Sequence, residues 1–225
     1  MTFAPLQVDA ILSGPVSFDR PIALDALLGF AIVDREGIAP AIREDAIVDL
    51  SPWLDRVLER SACGRLYLAS AGAVSVEARE LRYVHRRFPV DVAQQPTGRE
   101  MRRLHLSAGP AKSYRIPYER MHLVGDCVTW WCVGERDGIA DLLASITHLG
   151  RKRAVGNGRV ASWSVEPCDA WADGFPVAHE GRPLRNLPAD WPGLAPTTER
   201  QWATLMPPYW RRSAEVECCV PARVT

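Results

Sequence analysis

The 225-residue chain has no apolar run approaching the roughly 18 residues that a membrane span requires, so a membrane partner is not expected. Met1-Thr2-Phe3-Ala4-Pro5 lacks the basic-then-apolar pattern of a secretory signal, which points to a cytoplasmic protein. There is no Cys-x-x-Cys pair. Cys63, Cys127, Cys132 and Cys168 are scattered, and adjacent Cys218 and Cys219 make a poor zinc pair without partners, so all six read as free thiols. Net charge is absent too, at zero, which argues against a uniformly basic binder. No Gly-Lys-Ser/Thr ends a glycine-rich loop, which excludes a Walker P-loop. Gly156-Asn157-Gly158-Arg159-Val160-Ala161 completes no dinucleotide fingerprint, because it leads into a strand-like run where that motif opens a helix. The carboxylates form no metal-like cluster. Neither metal nor cofactor is expected.

What the chain does have is unevenly distributed. Residues 1–60 carry ten acids against five cations, whereas residues 79–120 carry ten cations against four acids. Such a split suits a molecule with one anion-facing side and another that meets protein. The most distinctive stretch is His148-Leu149-Gly150-Arg151-Lys152-Arg153-Ala154-Val155-Gly156-Asn157-Gly158-Arg159-Val160. It holds three glycines and four cations, with no acid anywhere from Leu142 to Val165. Glycine lets a backbone turn through positive φ and lets another backbone come close. Amides flanked by Arg and Lys make a cradle for phosphate oxygens. The plainer alternative is a solvated loop with a C-cap at Gly150.

Around it, the patterning predicts a short order of elements. Leu6–Leu12 alternates like a strand, and Pro21–Val33 has helical spacing on a face so apolar that it should lie across a sheet. Ser51–Arg60 reads as a short helix with Ser51 as its cap. Leu66–Ala69 reads as a strand, with Ala73–Ala78 pairing with it or lying beside it. From Glu80 to Met121, cations and aromatics are broken by Pro and Gly, which suggests a projecting hairpin or long loop. Leu123–Val133 is the clearest strand, Ile139–Ile146 the helix feeding the glycine loop, and Val160–Val165 a last strand. Stripped of insertions, this is an α+β ferredoxin-like (RRM-like) antiparallel sheet carrying a glycine-rich loop. Such a frame serves many RNA binders, which stack bases on the open sheet face. The expected division is a main domain over 1–167, with a basic thumb-like insertion at about 80–121, and an irregular extension over 168–225. In the extension, Trp171, Trp191, Trp202 and Trp210 lie among prolines and should pack on the body or a partner.

With that order in view, the chain resembles a RAMP-superfamily Cas protein, a group with a ferredoxin-like fold and a glycine-rich loop between the second helix and last strand. Leu12-Ser13-Gly14-Pro15-Val16 with Pro21–Leu28 resembles the N-terminal strand-loop-helix of the Cas five-like subunit of type IV CRISPR complexes. Gly181-Arg182-Pro183-Leu184-Arg185-Asn186-Leu187-Pro188 resembles that family's Pro-rich C-terminal segment. The resemblance implies a non-catalytic subunit that holds the 5′ handle of the crRNA and caps a filament of backbone (Cas seven-like) subunits. Its other partners would be the large or small subunit of the complex and, near the protospacer-adjacent motif (PAM), target DNA. The RNA-binding residues so implied are Gly150, Arg151, Lys152, Arg153, Gly156, Asn157, Gly158 and Arg159 in the loop. On the insertion they are Arg86, Arg87, Arg102, Arg103, Lys112, Tyr114 and Arg115.

Some relatives in that superfamily cut precursor crRNA, which needs a base near a 2′-OH and a group to stabilise developing charge. His148, at the helix end, is the best candidate here, followed by His85 and His105. No His–Tyr–Lys cluster is visible at close spacing, and a histidine there suits a helix C-terminus. Binding without cleavage is therefore expected. A metal-independent endoribonuclease and a protein-only scaffold are the alternatives.

Overall fold

The computed structural model describes residues 2–18, 20–38, 46–86, 114–169 and 176–221. The main body runs β1 (Ala4–Leu12), α1 (Leu24–Arg35), a single turn α2 (Ser51–Leu54), β2 (Val76–Arg86) and β3 (Tyr114–Leu123). It continues through β4 (Cys127–Gly134), α3 (Arg136–Leu143) and β5 (Val160–Pro167). The extension adds five short strands, β6 (Ala178–His179), β7 (Arg182–Pro183), β8 (Leu187–Pro188), β9 (Arg200–Ala203) and β10 (Val216–Cys219). Among the described residues no helix is long and apolar enough to cross a membrane. The architecture is α+β with antiparallel sheets and few helices.

The central sheet has the order β4-β1-β5, with both pairings antiparallel. Along β1 the two-residue period places Leu6, Val8, Ala10 and Leu12 in the core and Gln7, Asp9 and Ile11 on the other face. Trp130, opposite Val8 on β4, is fully buried, and its Nε1–H donates to the Ile22 carbonyl at 2.7 Å. Helices α1 and α3 cover this core face, α1 through Leu24, Leu28, Ala31 and Ile32 and α3 through Ile139, Leu142 and Leu143. The Glu135 carboxylate caps α3 by accepting from the Asp137 and Gly138 amides.

Several expected elements differ. The helix over Ser51–Arg60 stops after Leu54, and Ser51 is not its cap; the Ser51 amide donates to Asp49 Oδ1 at 2.9 Å instead. Leu66–Ala69 forms no regular strand. Residues 58–73 pair with β4 through isolated bridges, Leu58–Gly134, Ala69–Cys132 and Ala73–Thr129, in place of a continuous ladder. The Leu123–Val133 run is divided by a turn at Val124–Asp126, where Gly125 has φ 65°. The extension, expected to be irregular, holds a three-stranded antiparallel sheet, β8-β10-β9. Its tryptophans are not uniformly packed either. Trp191 joins a small cluster with Leu66, Leu68, Val177 and Leu187, but Trp202 on edge strand β9 is 72% exposed and Trp210 is exposed as well. Trp171 lies outside the described residues.

One buried ion pair joins the extension to the body. Arg185 and Asp25 are 1% and 0% exposed and 2.9 Å apart. The Arg185 guanidinium also donates to the carbonyls of Tyr67, Ala69 and Leu205 and to the Tyr209 hydroxyl. Tyr209 in turn donates to Asp25. Burial alone would loosen the Arg185 proton, but Asp25 and Tyr209 outweigh it and hold the guanidinium more firmly charged than usual. Removing one partner of such a pair strands a buried charge, at a cost of about 3–5 kcal/mol. Asp25→Ala is expected to show that loss in denaturant unfolding, and Asp25→Leu combined with Arg185→Met to recover much of it.

Alkaline pH gives a second measurement. Burial, then the hydrogen bond donated to Asp55, pushes the Tyr67 phenol up to about 12. Burial holds Tyr209 well above its usual range, against the pull of Arg185. Both are raised above the unfolded value, so their stabilising contribution is complete below a pH of about 10. The Tyr67 contribution is lost as pH rises toward about 12, and that of Tyr209 as pH rises further into the alkaline range. Titration of tyrosinate absorbance should show two late-ionising phenols whose ionisation coincides with unfolding. Ionisation of all five tyrosines ahead of unfolding would contradict this assignment.

Candidate nucleic-acid interface

Past α3 the chain leaves the helix at Leu143 and runs to His148, which bridges Arg159. His148 is therefore not a last-turn helix residue. Its Nδ1 lies 3.0 Å from Thr147 Oγ1, and no carboxylate pairs with it among the described residues. The loop between the bridging residues is closed by Leu149 N–H to Gly158 O at 2.7 Å and Val160 N–H to Thr147 O at 2.9 Å.

Residues 13–17, directly after β1, form the bed on which this loop lies. Ser13 N–H donates to Arg159 O, Gly158 N–H to Pro15 O, and Arg151 N–H to Ser17 O. The same bed pairs on its other side with the hairpin, through Val16 and Met121, which exchange both amide hydrogen bonds at 2.9 and 2.7 Å. Two glycines make the close approach possible. Gly150 (φ 73°) and Gly158 (φ 64°) would drive an added Cβ into the carbonyl oxygens of Ser17 and Leu149. Gly156 (φ 84°) faces open space. The missing side chain at Gly158 thus serves the chain's own packing, and Gly156 is the position open to a ligand. Asn157 is wholly buried, and neither of its amide atoms has a partner among the described residues.

The cations stand clear of this scaffold. Arg151, Arg153 and Arg159 are exposed and Lys152 is half-buried. Lys152 is itself left-handed (φ 59°), and the amides of Lys152, Arg153 and Ala154 have no hydrogen-bond partner among the described residues. Consecutive left- and right-handed residues with unpaired amides are the backbone geometry that cups an anion. Lys152 Nζ lies 5.9 Å from the Tyr118 ring on β3, and the Arg153 guanidinium 5.8 Å from the Phe30 ring on α1. Among the described residues Lys152, Arg153 and Arg159 form no ion pair with an acid.

The basic stretch after residue 79 begins as a two-stranded hairpin, β2 with β3, which pairs from Val76–Leu123 out to Arg86–Tyr114. Near the body its cations are neutralised, Arg79 by Glu119 at 2.7 Å, and Arg82 and Arg120 by Glu80. Farther out, Arg115 lies over the Tyr83 ring at 3.8 Å and Tyr114 is exposed. Arg86 ends β2, whereas Arg87, Arg102, Arg103, His105 and Lys112 lie outside the described residues. His85, on the same distal part, has its ring 6.1 Å from that of Tyr83.

The open sheet face is chemically different. Strands β1, β4 and β5 contain no Lys or Arg, and this face carries Asp9 and Glu166. Asp9 is held by Thr129 at 2.6 Å and by Gln7 at 2.8 Å. The aromatic rings near the glycine loop, Phe30 and Tyr118, are residues that reading the sequence did not single out, because each lies far along the chain from its cation. A cavity of ≈ 370 Å³ between the start of α1 and the extension shares no residue with the loop or hairpin. Among the described residues no three His, Cys, Asp or Glu side chains gather to hold a metal ion.

The two glycines predict unequal effects. Gly158→Ala should cost about 2–5 kcal/mol, from left-handed strain plus overlap with Leu149, and Gly156→Ala only about 1 kcal/mol from strain. Thermal unfolding of the pair checks this, and equal losses would remove the packing role given to Gly158.

A family model described as CRISPR type IV associated protein Csf3 matches residues 4–221. No curated protein matches the chain. The matched span runs from the first residue of β1, through the glycine loop and the hairpin, to the segment after β10. The chain therefore belongs to the Csf3 family of CRISPR type IV associated proteins.

Proposed function

We propose that this chain is a non-catalytic subunit of a type IV CRISPR ribonucleoprotein, and that its glycine loop and hairpin hold the 5′ handle of the crRNA. The observation that carries the reading is the contrast between two surfaces. Among the described residues the loop presents Lys152, Arg153 and Arg159 without acidic partners, beside unpaired amides and an open Gly156. The sheet strands offer no cation at all. Phosphate oxygens favour the first surface and are repelled by Asp9 on the second, where Glu166 is paired with Arg136. RNA contact on this reading runs along the loop rather than across the sheet.

The frame supports the same reading. Strand order β5-β1-β4, continued by the bridged segment 58–73, supports reading the frame as ferredoxin-like, with the loop between the second long helix and the last strand of the sheet. In that role the subunit caps a filament of Cas seven-like backbone subunits and meets the large or small subunit, with target DNA near the PAM as a further contact. The distal hairpin, with Arg86, Tyr114 and Arg115, is the part that would cross the guide. His148, hydrogen-bonded to a threonine and with no carboxylate partner among the described residues, is a poor general base.

Arg151→Glu with Arg153→Glu is expected to weaken binding of a crRNA-handle oligonucleotide and to reduce the slope of log affinity against log salt by about one to two. Unchanged affinity overturns the phosphate-cradle assignment. Shortening of a repeat-containing RNA by the purified protein, abolished by His148→Ala, would replace the binding role with an endoribonuclease. Failure to retain any RNA would leave a protein scaffold.

A further inference from the structure

Lys152 and Arg153 are neighbours in sequence, yet their side chains run to aromatic rings on two different elements. Lys152 reaches Tyr118 on β3, and Arg153 reaches Phe30 on α1. The loop thereby has an aromatic ring from each of two elements beside its cations. Phe30 is 49% exposed, while Leu24, Leu27, Leu28 and Ile32 of the same helix are buried, so the core does not require a phenyl group there. The separations of 5.8 and 5.9 Å sit at the outer limit of a cation–ring contact, so each cation covers its ring loosely.

We infer that Phe30 and Tyr118 are stacking platforms for two unpaired bases of a single-stranded RNA, beside the cations of the glycine loop. The phosphate backbone passes between them over Lys152, Arg153 and the open Gly156. This rests on the reading that the loop binds the guide RNA, and adds which side chains meet its bases. The two groups suit different parts of one ligand. Arg and Lys take phosphate charge, whereas a flat apolar ring gains nothing from phosphate and gains contact from a base face. Duplex RNA offers no free base face at its sides, so the arrangement selects a single strand. Because stacking accepts any base, the platforms position the strand without reading its sequence.

The test uses the full-length chain and a short single-stranded RNA carrying 2-aminopurine at successive positions, with a second RNA whose bases are removed opposite the rings. The unaltered protein is expected to quench 2-aminopurine at two separated positions. Phe30→Ala should abolish one quench and Tyr118→Ala the other, each with about a five- to hundred-fold loss of affinity for the intact RNA. Neither should alter affinity for the abasic RNA. Phe30→Leu keeps apolar bulk without a ring and should behave as Phe30→Ala, while Phe30→Trp should restore quenching. Thermal unfolding of each variant confirms that it is folded. Equal losses on intact and abasic RNA would reduce the rings to braces for their cations and overturn the inference. Binding that depends on Arg151 and Arg153 but shows no ring-dependent quench overturns it alone. Absence of RNA binding by the unaltered protein overturns it together with the guide-binding role.

Discussion

The guanidinium of Arg185 sits where three parts of the chain meet, withdrawn from water. It donates to carbonyls of the irregular segment at Tyr67 and Ala69, to Asp25 in the first turn of α1, and to Leu205 and Tyr209 of the extension. A charge withdrawn from water this completely is tolerable only when nearly all its donors are met, and only Nε lacks a partner. None of the surrounding pieces is regular enough to stand alone. Residues 58–73 are held by isolated bridges, and the strands of the extension are two to four residues long. They meet at one buried pair, which ties the extension to the body.

A parallel economy shapes the glycine loop. Residues 13–17 serve two neighbours at once, accepting from Gly158 and Arg151 on one side and pairing with Met121 on the other. The loop and the hairpin are thus referenced to the same five residues at the end of the central strand. Their relative placement follows from backbone hydrogen bonds, while the charged side chains remain available. A backbone fixed by hydrogen bonds suits a phosphate-binding surface, since ordering it in advance reduces the entropy lost on binding.

Charge on the surface is sorted rather than merely abundant. The basic stretch that dominates the sequence is partly cancelled where the hairpin leaves the body, because Glu80 and Glu119 lie across or beside its arginines. On the loop, Lys152, Arg153 and Arg159 have no acidic partner among the described residues, and aromatic rings lie beside Lys152 and Arg153. The outer sheet face, by contrast, is acidic and hydroxyl-rich, with Asp9, Thr129, Ser162, Ser164 and Glu166.

The sequence by itself determined what depends on near neighbours. Two-residue alternation located β1, β4 and β5, helical spacing located α1 and α3, and composition marked the basic glycine-rich loop between α3 and β5. Each signal is local, so each could be read without knowing the fold. The tertiary structure alone decided which residues meet across long separations. Asp25 and Arg185 are 160 positions apart, and their pairing turned two family-like stretches into one structural anchor. Gly158 is glycine because Leu149 needs its space, and Asn157, expected to face a ligand, is buried beside it. Phe30 looked like one more core residue on an apolar helix until its direction, away from the sheet and under Arg153, was known. Periodicity says that a side chain lies on a face, but the partner on that face is chosen by packing between segments that the chain keeps far apart.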